Sequence, residues 1–245
     1  VSLSQLRLKD IQFSYHDFRK DTLDFGVDYD HIELKNLQLD ADHITSAGSQ
    51  HELFIRSLGF QERSGFHLNK LTAALQVSEN GIGFRYLSLH TPQSKIYFKK
   101  LALQTKQLAD FEHFDDKVVF DVTLQNSRLS LKDLSYFVPD LKGMTQRVYV
   151  AAEVKDVLKR LSVEQFRLAF GQKSKLKGNF RLPDFRLEAN QLRFNELLQF
   201  AHLDFQDLEN FQLPQGVASI QIPVEIRALN YLEYKRVFMW GLQVL

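Results

Sequence analysis

The hydrophobic and polar positions of this chain follow one recurring pattern. An apolar residue is followed by two mostly polar residues and then by an apolar–any–apolar triplet, at residues 8–13, 34–39, 98–103 and 163–168. The triplet has the two-residue period of a β-strand, because successive side chains of an extended backbone point to opposite faces. The two polar residues shift the alternation by one, which predicts a bulge or a bend within the strand.

Longer alternating runs predict half-buried antiparallel strands with one apolar and one polar face. They lie at residues 71–77, 118–124, 148–154, 166–170, 178–182 and 220–226. We expect an inward position for Phe120, Val122, Leu124, Ile220, Ile222 and Val224. We expect exposure for Asp121, Thr123, Gln221 and Glu225. A register slip of one residue would exchange the two faces.

Turn and loop signals separate the runs. Asn80-Gly81 stands between alternating residues and predicts a hairpin over 71–89, with a type I′ turn that needs positive φ. The polar stretch 45–52, which contains Gly48, is the best candidate for a loop or for a subdivision of the chain.

Three short segments have helical spacing: 107–115, 131–141 and 195–202. Each has about two turns, which is too short to build a helical layer. We expect them to act as plugs or caps at the end of a curved sheet. The predicted fold is therefore all-β, an elongated curved antiparallel sheet with a few short helices.

Composition sets the outer limits of this interpretation. With 245 residues, 44% hydrophobic and 25% charged, the chain is able to bury a substantial core. The formal charge of +1 gives no global field that would attract nucleic acid or an anionic membrane. Cysteine is absent, which excludes disulfides, thiolate metal sites and cysteine nucleophiles. The chain begins at Val1 inside an alternating pattern, and we interpret it as part of a longer protein.

Catalytic motifs are not found in the sequence. No two of the 8 histidines stand three or four residues apart, as a helical metal pair requires. There is no G-x-S-x-G elbow, no phosphate-cradling glycine loop and no dinucleotide fingerprint. We therefore expect neither an enzyme nor a cofactor.

Two sets of charged residues are candidate binding sites. The carboxylate pairs Asp28/Asp30 and Asp40/Asp42 would lie about 7 Å apart on one strand face and could hold a hard cation. A solvated strand end is the favoured interpretation. The second set consists of basic residues: Lys99, Lys100, Lys175, Lys177 and Arg181. These side chains could contact phosphate groups, but the favoured interpretation is that they keep the outer face of the sheet soluble.

Phenylalanine is abundant, with 21 residues against one Trp. These rings could fill the core of a sandwich or barrel. Alternatively, they could line the apolar trough of an open curved sheet, where they would solvate acyl chains. The pattern alone leaves both alternatives open.

Several segments resemble the AsmA-like superfamily, specifically the long TamB-like proteins of Bacteroidetes-type bacteria. They are residues 6–15, 64–89, 91–96 and 126–141, and the most specific part is K-D-L-S-Y-F-V-P-D-L after N-S-R-L. The resemblance covers most of residues 1–190, and beyond about 186 only generic repeats match. It implies a repeating β-groove, or β-taco, in which the whole chain 1–245 is one repetitive segment.

The function that the resemblance implies is phospholipid movement between the two membranes of the cell envelope. The chain would then be periplasmic, with an inner-membrane anchor outside this sequence and an outer-membrane partner. The expected groove residues are Phe13, Leu37, Leu39, Leu75, Val77, Leu87, Leu89, Leu101, Leu103, Phe120, Val122, Leu124, Val150, Phe180, Ile220, Ile222 and Val224, while Ala73 and Leu168 are left unassigned.

Two alternatives stay open. Exposed strand edges could pair with nascent outer-membrane β-proteins, which would make the chain a scaffold or chaperone module for their translocation and assembly. A carbohydrate-binding β-solenoid is the third reading, but sugar grooves usually present several aromatic platforms, and this chain has one Trp.

Overall fold

The computed structural model describes residues 1–181 and 195–235. Twelve strands account for most of this part of the chain. They are β1 (Ser2–His16), β2 (His31–Ala47), β3 (Gln50–Glu62), β4 (His67–Ser78), β5 (Gly81–His90), β6 (Lys95–Gln104), β7 (Val119–Ser130), β8 (Arg147–Val157), β9 (Ser162–Phe170), β10 (Ser174–Arg181), β11 (Asn195–Asp204) and β12 (Tyr231–Lys235).

All twelve strands form one antiparallel sheet in sequence order. Each strand pairs with the strands before and after it, and β1 and β12 are the two edges within the described residues. The sheet is open and curled, and no second sheet lies against either face in this part of the chain. The prediction of an elongated, curved all-β fold is confirmed.

The recurring sequence motif forms β-bulges, and these bulges lie in a line across the sheet. Asp10, Asn36 and Gln165, each the second polar residue of a motif, have φ of 53°, 53° and 49°. The fourth motif coincides with a register shift between Phe98 and Lys100. Register shifts occur in every neighbouring strand pair except β5–β6 and β11–β12. We call this feature the bulge line, and it divides each face of the sheet into two halves.

The helices are short and lie in the connections. They are α1 (Phe114–Lys117), α2 (Leu131–Ser135), α3 (Phe205–Glu209) and α4 (Val224–Arg227), with 3₁₀ turns at Leu108–His113, Pro139–Leu141 and Leu158–Arg160. The helix predicted at 107–115 is confirmed with slightly later bounds. The one predicted at 131–141 is confirmed at its two ends and interrupted at 136–138.

Two predicted elements are wrong. The segment 195–202 is the strand β11, because its pairing with β10 outweighs its helical propensity. The segment 220–226 is not a strand: Pro223 lacks a backbone N–H and precedes α4. Position 182 of the run 178–182 lies outside the described residues.

Both predicted turns differ in detail from expectation. The stretch 45–52 is no loop, because β2 and β3 run through it and only Gly48 and Ser49 form the turn. The hairpin of β4 and β5 is present, but its turn is not type I′, since Gly81 has φ of 131° and Asn80 does not have a positive φ. A Cβ at Gly81 would lie 2.0 Å from the carbonyl oxygen of Leu103, so a larger residue does not fit there.

The connections at one end of the strands pack against each other. We call this end the sealed rim; it comprises residues 17–30, 63–66, 91–94, 131–146, 171–173 and 205–230. The N–H of Val27 donates to the carbonyl oxygen of Tyr136 at 2.7 Å, and the N–H of Gln215 donates to that of Lys142 at 2.7 Å. Phe66, Met144 and Phe205 are buried here, next to Phe170 at the end of β9. Large apolar side chains are therefore packed along this rim.

Carboxylates also hold the sealed rim together. Asp207 accepts the N–H groups of Gln172, Lys173 and Ser174, each at 2.8 Å. Gly171 has φ of 59°, and a Cβ there would lie 2.1 Å from Oδ1 of Asp207. Asp133 accepts the hydroxyls of Thr91 and Ser94, each at 2.5 Å. These bonds fix connections to each other that are more than thirty residues apart.

Candidate functional site: the apolar face of the sheet

Strand register places apolar residues on one face of the sheet. Residues that lie directly opposite each other in neighbouring strands share a face. One row of such residues crosses β3 to β10 without a polar member: Leu53, Leu75, Phe84, Leu101, Val122, Val154, Val163 and Phe180. We call this side the apolar face.

A second row lies on the other side of the bulge line. It crosses β1 to β6 through Leu8, Leu39, Leu58, Leu71, Leu89 and Ile96. The bulges therefore do not interrupt the apolar face. They let the alternation restart with the same face inward.

Most side chains of the apolar face are only half-buried. Every member of the two rows is in this intermediate range except Val163, which is buried. The fully buried members of the face include Ile55 and Leu87 as well as the small residues Ala41, Ala73 and Ala152. Within the described residues no second layer covers the face, so the partial burial of the other members comes from neighbouring side chains of the same curled sheet. A large apolar surface thus remains accessible.

Aromatic clusters border the apolar face at both ends of the strands. At the sealed rim, the Phe66 ring lies 4.9 Å from the ring of Phe137 and 5.9 Å from that of Tyr136. At the opposite end, Phe114 of α1 meets Phe120 at 5.4 Å, edge to face. The apolar face is therefore a trough with two aromatic walls and an uncovered middle.

An open depression of about 340 Å³ lies in the trough on β9 to β11. It is lined mainly by Phe166, Leu168, Leu176, Phe180 and Leu198. Its lining is almost wholly apolar, and the rings of Phe166 and Phe180 meet edge to face at 5.1 Å. A pocket of this volume and lining suits an apolar ligand group.

Most of the predicted groove residues lie on this face. They are Phe13, Leu37, Leu39, Leu75, Val77, Leu87, Leu89, Leu101, Leu103, Phe120, Val122, Leu124, Val150 and Phe180, joined by the unassigned Ala73 and Leu168. Asp121 and Thr123 lie on the opposite face, as expected. They are half-buried rather than exposed, because Asp121 pairs with Lys100.

The assignments of Ile220, Ile222 and Val224 to the trough are wrong. These residues belong to the connection that leads into α4. Ile222 is buried, Val224 is 78% exposed, and neither takes part in the strand ladder. Gln221 and Glu225 are exposed, but as members of this connection and of α4 rather than of a strand.

Several trough residues were missed by sequence reasoning. They are Leu53, Phe84, Val154, Val163, Leu176 and Leu198. Each stands next to a bulge or in a short run where the period is ambiguous. Their position on the apolar face can be inferred from the residue opposite them in the neighbouring strand, but only once the register of the strand pair is known.

Three of the four carboxylates that could hold a cation, those of Asp28, Asp40 and Asp42, have internal partners. Asp28 and Asp30 precede β2, so they do not share a strand face. Asp28 accepts the N–H of Leu23 at 2.9 Å, and this bond holds its pKa below the usual range. Asp42 is bound by His43 and Arg56, which lower its pKa. Within residues 1–181 and 195–235, no group of three His, Asp or Glu side chains is arranged to hold a metal ion.

Comparison with protein-family models, with curated proteins and with solved structures finds no match to this chain. None of the helices in the described ranges is both long enough and apolar enough to cross a membrane.

Proposed function

We propose that this chain is a segment of a lipid-transfer conduit that carries phospholipids along its apolar face. The observation that supports the proposal is the unbroken apolar row from β3 to β10, in which every side chain except that of Val163 stays half-buried. A protein that used these residues only as a core would cover them with a second layer.

The size of the row fits acyl chains. Neighbouring strands lie about 4.8 Å apart, so the seven steps from β3 to β10 cover about 34 Å. This is close to the hydrocarbon thickness of a bilayer, about 30 Å. Each methylene that enters the trough is stabilised by about 0.8 kcal/mol, and a gap in the row would expose several methylenes to water. Tails would lie in the trough while headgroups stay in solvent above it.

The resemblance to TamB-like proteins supports a place for this conduit in the periplasm. Its inner-membrane anchor would then lie outside this chain, and an outer-membrane protein would be its partner. The mechanism uses no catalytic residue and no cofactor, because the driving force is the transfer of apolar surface out of water.

The test is to place a carboxylate in the middle of the row. Val122→Asp should fold, because solvent reaches this half-buried position, and it should lose phospholipid. Thr123→Asp is the matched control, since it adds the same charge one residue away on the opposite face. Bound lipid is measured by extraction and mass spectrometry of the purified protein and by photocrosslinking of a labelled phospholipid.

A folded Val122→Asp protein without lipid, beside a Thr123→Asp protein that keeps it, supports the conduit. A wild-type protein that never carries lipid, or a folded Val122→Asp protein with unchanged occupancy, overturns it.

The scaffold alternative rests on a different observation. The outer edge of β1 has no partner among the described strands, and nearly all its residues are exposed, including Ile11, Phe13 and Tyr15. Such an edge is able to accept an added strand. A scaffold would bind extended β-strand peptides with equal affinity in the wild type and in Val122→Asp, which a lipid conduit would not require.

A further inference from the structure

The polar face of the sheet carries two kinds of charge distribution, one on each side of the bulge line. Between the bulge line and the end opposite the sealed rim, acids stand among the cations. Lys100 pairs with Asp121, and Lys155 lies 3.7 Å from both Glu153 and Glu164. This half of the face therefore carries charges of both signs, although Arg85 lies directly opposite Lys100.

On β4 to β10, the half next to the sealed rim carries cations without acids. A row of directly opposed residues crosses β4 to β10 here: Lys70, His90, Lys95, Arg128, Tyr149, Ala169 and Lys175. Arg167 and Lys177 lie beside it, two residues further along β9 and β10. We call the row and these two neighbours the cationic row. Within the described ranges, none of its lysines or arginines has a carboxylate within 4.0 Å.

Like charges face each other directly in the cationic row. Lys95 lies opposite Arg128, and Arg167 lies opposite Lys177. Such pairs destabilise a sheet, where opposite charges would stabilise it. Burial, followed by the charges of Lys95 and Lys70, lowers the pKa of His90. Nε2 of His90 and Nε of Arg128 are buried without a hydrogen-bond partner among the described residues. The arrangement therefore lacks a counter-anion.

Tyrosines accompany these cations on the same face. Tyr97 follows Lys95 by two residues, and Tyr149 lies opposite Arg128 and is 58% exposed. A depression of about 310 Å³ runs between Tyr149, Arg167, Lys175 and Lys177. Exposed tyrosines among lysines and arginines are typical of surfaces at a membrane–water interface, because the ring is apolar and its hydroxyl stays wet.

We propose that the cationic row binds the phosphate headgroups of an anionic lipid bilayer. The six strand spacings from β4 to β10 give it a length of about 29 Å, which is enough to contact several headgroups at once. A bilayer is favoured over a soluble polyanion because the exposed tyrosines offer an interfacial contact that a soluble chain of phosphates does not use. The row lies on the face opposite the trough, so this binding is independent of the proposed lipid transport.

The experiment measures cosedimentation of the purified protein with vesicles. One set contains phosphatidylglycerol and phosphatidylcholine, and the other contains phosphatidylcholine alone. The test variant is Arg167→Gln/Lys177→Gln. The matched control is Lys100→Gln/Lys155→Gln, which removes the same net charge from the same face at ion-paired positions. Soluble polyphosphate and inorganic phosphate are the competitors.

We expect wild-type protein to bind the anionic vesicles and not the neutral ones. Each cation near an anionic surface contributes about a fivefold change in affinity, so the test variant should bind about 25-fold more weakly and the control should stay within about twofold. Inorganic phosphate should compete poorly. Lys177→Glu changes the net charge by the same two units, so it should weaken binding about as much as the test variant, and it should raise the Tm because it gives Arg167 an opposite charge.

Three results would overturn the proposal. The first is equal binding to neutral vesicles, which would indicate uptake of lipid by the trough. The second is equal loss in the test and control variants, which would indicate an effect of net charge alone. The third is tight binding of polyphosphate without binding of anionic vesicles, which would identify a soluble polyanion as the ligand.

Discussion

The sealed rim and the apolar face use apolar residues in opposite ways. At the rim, Phe66 is 7% exposed and contacts three other rings, and buried carboxylates satisfy the turns around it. On the face, residues of the same type such as Phe84 stay half-buried, and no other described layer covers them. The difference indicates that the rim supplies much of the tertiary stability, while the face keeps apolar surface accessible to solvent.

The largest expected effect comes from the same substitution at two valines of one segment. Val118 is fully buried at the end of α1, and Val122 is half-buried in the trough. Val118→Asp should bury an unpaired carboxylate and cost several kcal/mol, enough to unfold a domain of ordinary stability. Val122→Asp should cost about 1 kcal/mol. Urea unfolding followed by circular dichroism measures both, and equal losses would mean that the face is a closed core.

A smaller effect is expected from removing one aromatic ring in each region. Phe66→Ala should cost about 3–5 kcal/mol, because it leaves a cavity among packed rings. Phe84→Ala should cost about 1–2 kcal/mol, because the ring is partly in water already. Thermal melts of the two variants compare them directly. The opposite order would show that the trough, and not the rim, is the stabilising core.

The carboxylate of Asp207 gives a third test, which concerns the rim alone. Asp207→Ala leaves three N–H groups at residues 172–174 without their acceptor and should cost about 2–4 kcal/mol. Asp207→Asn keeps one acceptor oxygen and should cost about half as much. Lipid occupancy of the folded protein should not change in either variant, whereas a parallel loss of lipid would tie the rim to binding.

The pH dependence of stability should be the mildest difference between the two regions. Burial alone would raise the pKa of Asp207, but the three N–H donors outweigh it and lower the pKa overall. The hydrogen bond from Lys173 likewise lowers the pKa of Asp204. A lowered folded-state pKa adds stability above the unfolded value of about 3.9, and this stability is lost as the pH falls through the folded pKa.

The Tm should therefore fall when the pH drops below about 4. The Tm of the Asp207→Asn variant should fall less steeply over the same pH range, because this variant has one titrating group fewer. If Tm falls with pH at the same rate in the variant and in the wild type, Asp207 does not contribute to the pH dependence of stability.

Local patterns in the sequence are sufficient to predict the faces of most strands and the positions of the bulges. Asp10 and Asn36 stand in motifs that shift the apolar alternation by one, and the structure puts a positive φ at both. The signal is local because a bulge is made by consecutive residues of one strand. For the same reason most trough residues of β4 to β8 were assigned to the correct face.

Contacts between distant segments could not be predicted in this way. Residues 195–202 have helical spacing, yet they form β11 because β10 offers a complementary edge. Residues 220–226 alternate like a strand, but the chain leaves the sheet there and returns only at β12. Two further features depend on how distant strands are aligned, which no single segment of sequence specifies. They are the hydrogen bonds from residues 172–174 to Asp207 and the alignment of the cationic row.

The order of the strands in the sheet also has a consequence for folding kinetics. Since every strand pairs with its neighbours in sequence, the sheet is able to grow by adding one hairpin at a time to an existing edge. Six of the eleven connections have four residues or fewer, so little chain entropy is lost before those pairs of strands form. We therefore expect this all-β protein to fold faster than a Greek-key sandwich of similar length, and to do so progressively as the chain is synthesised or translocated.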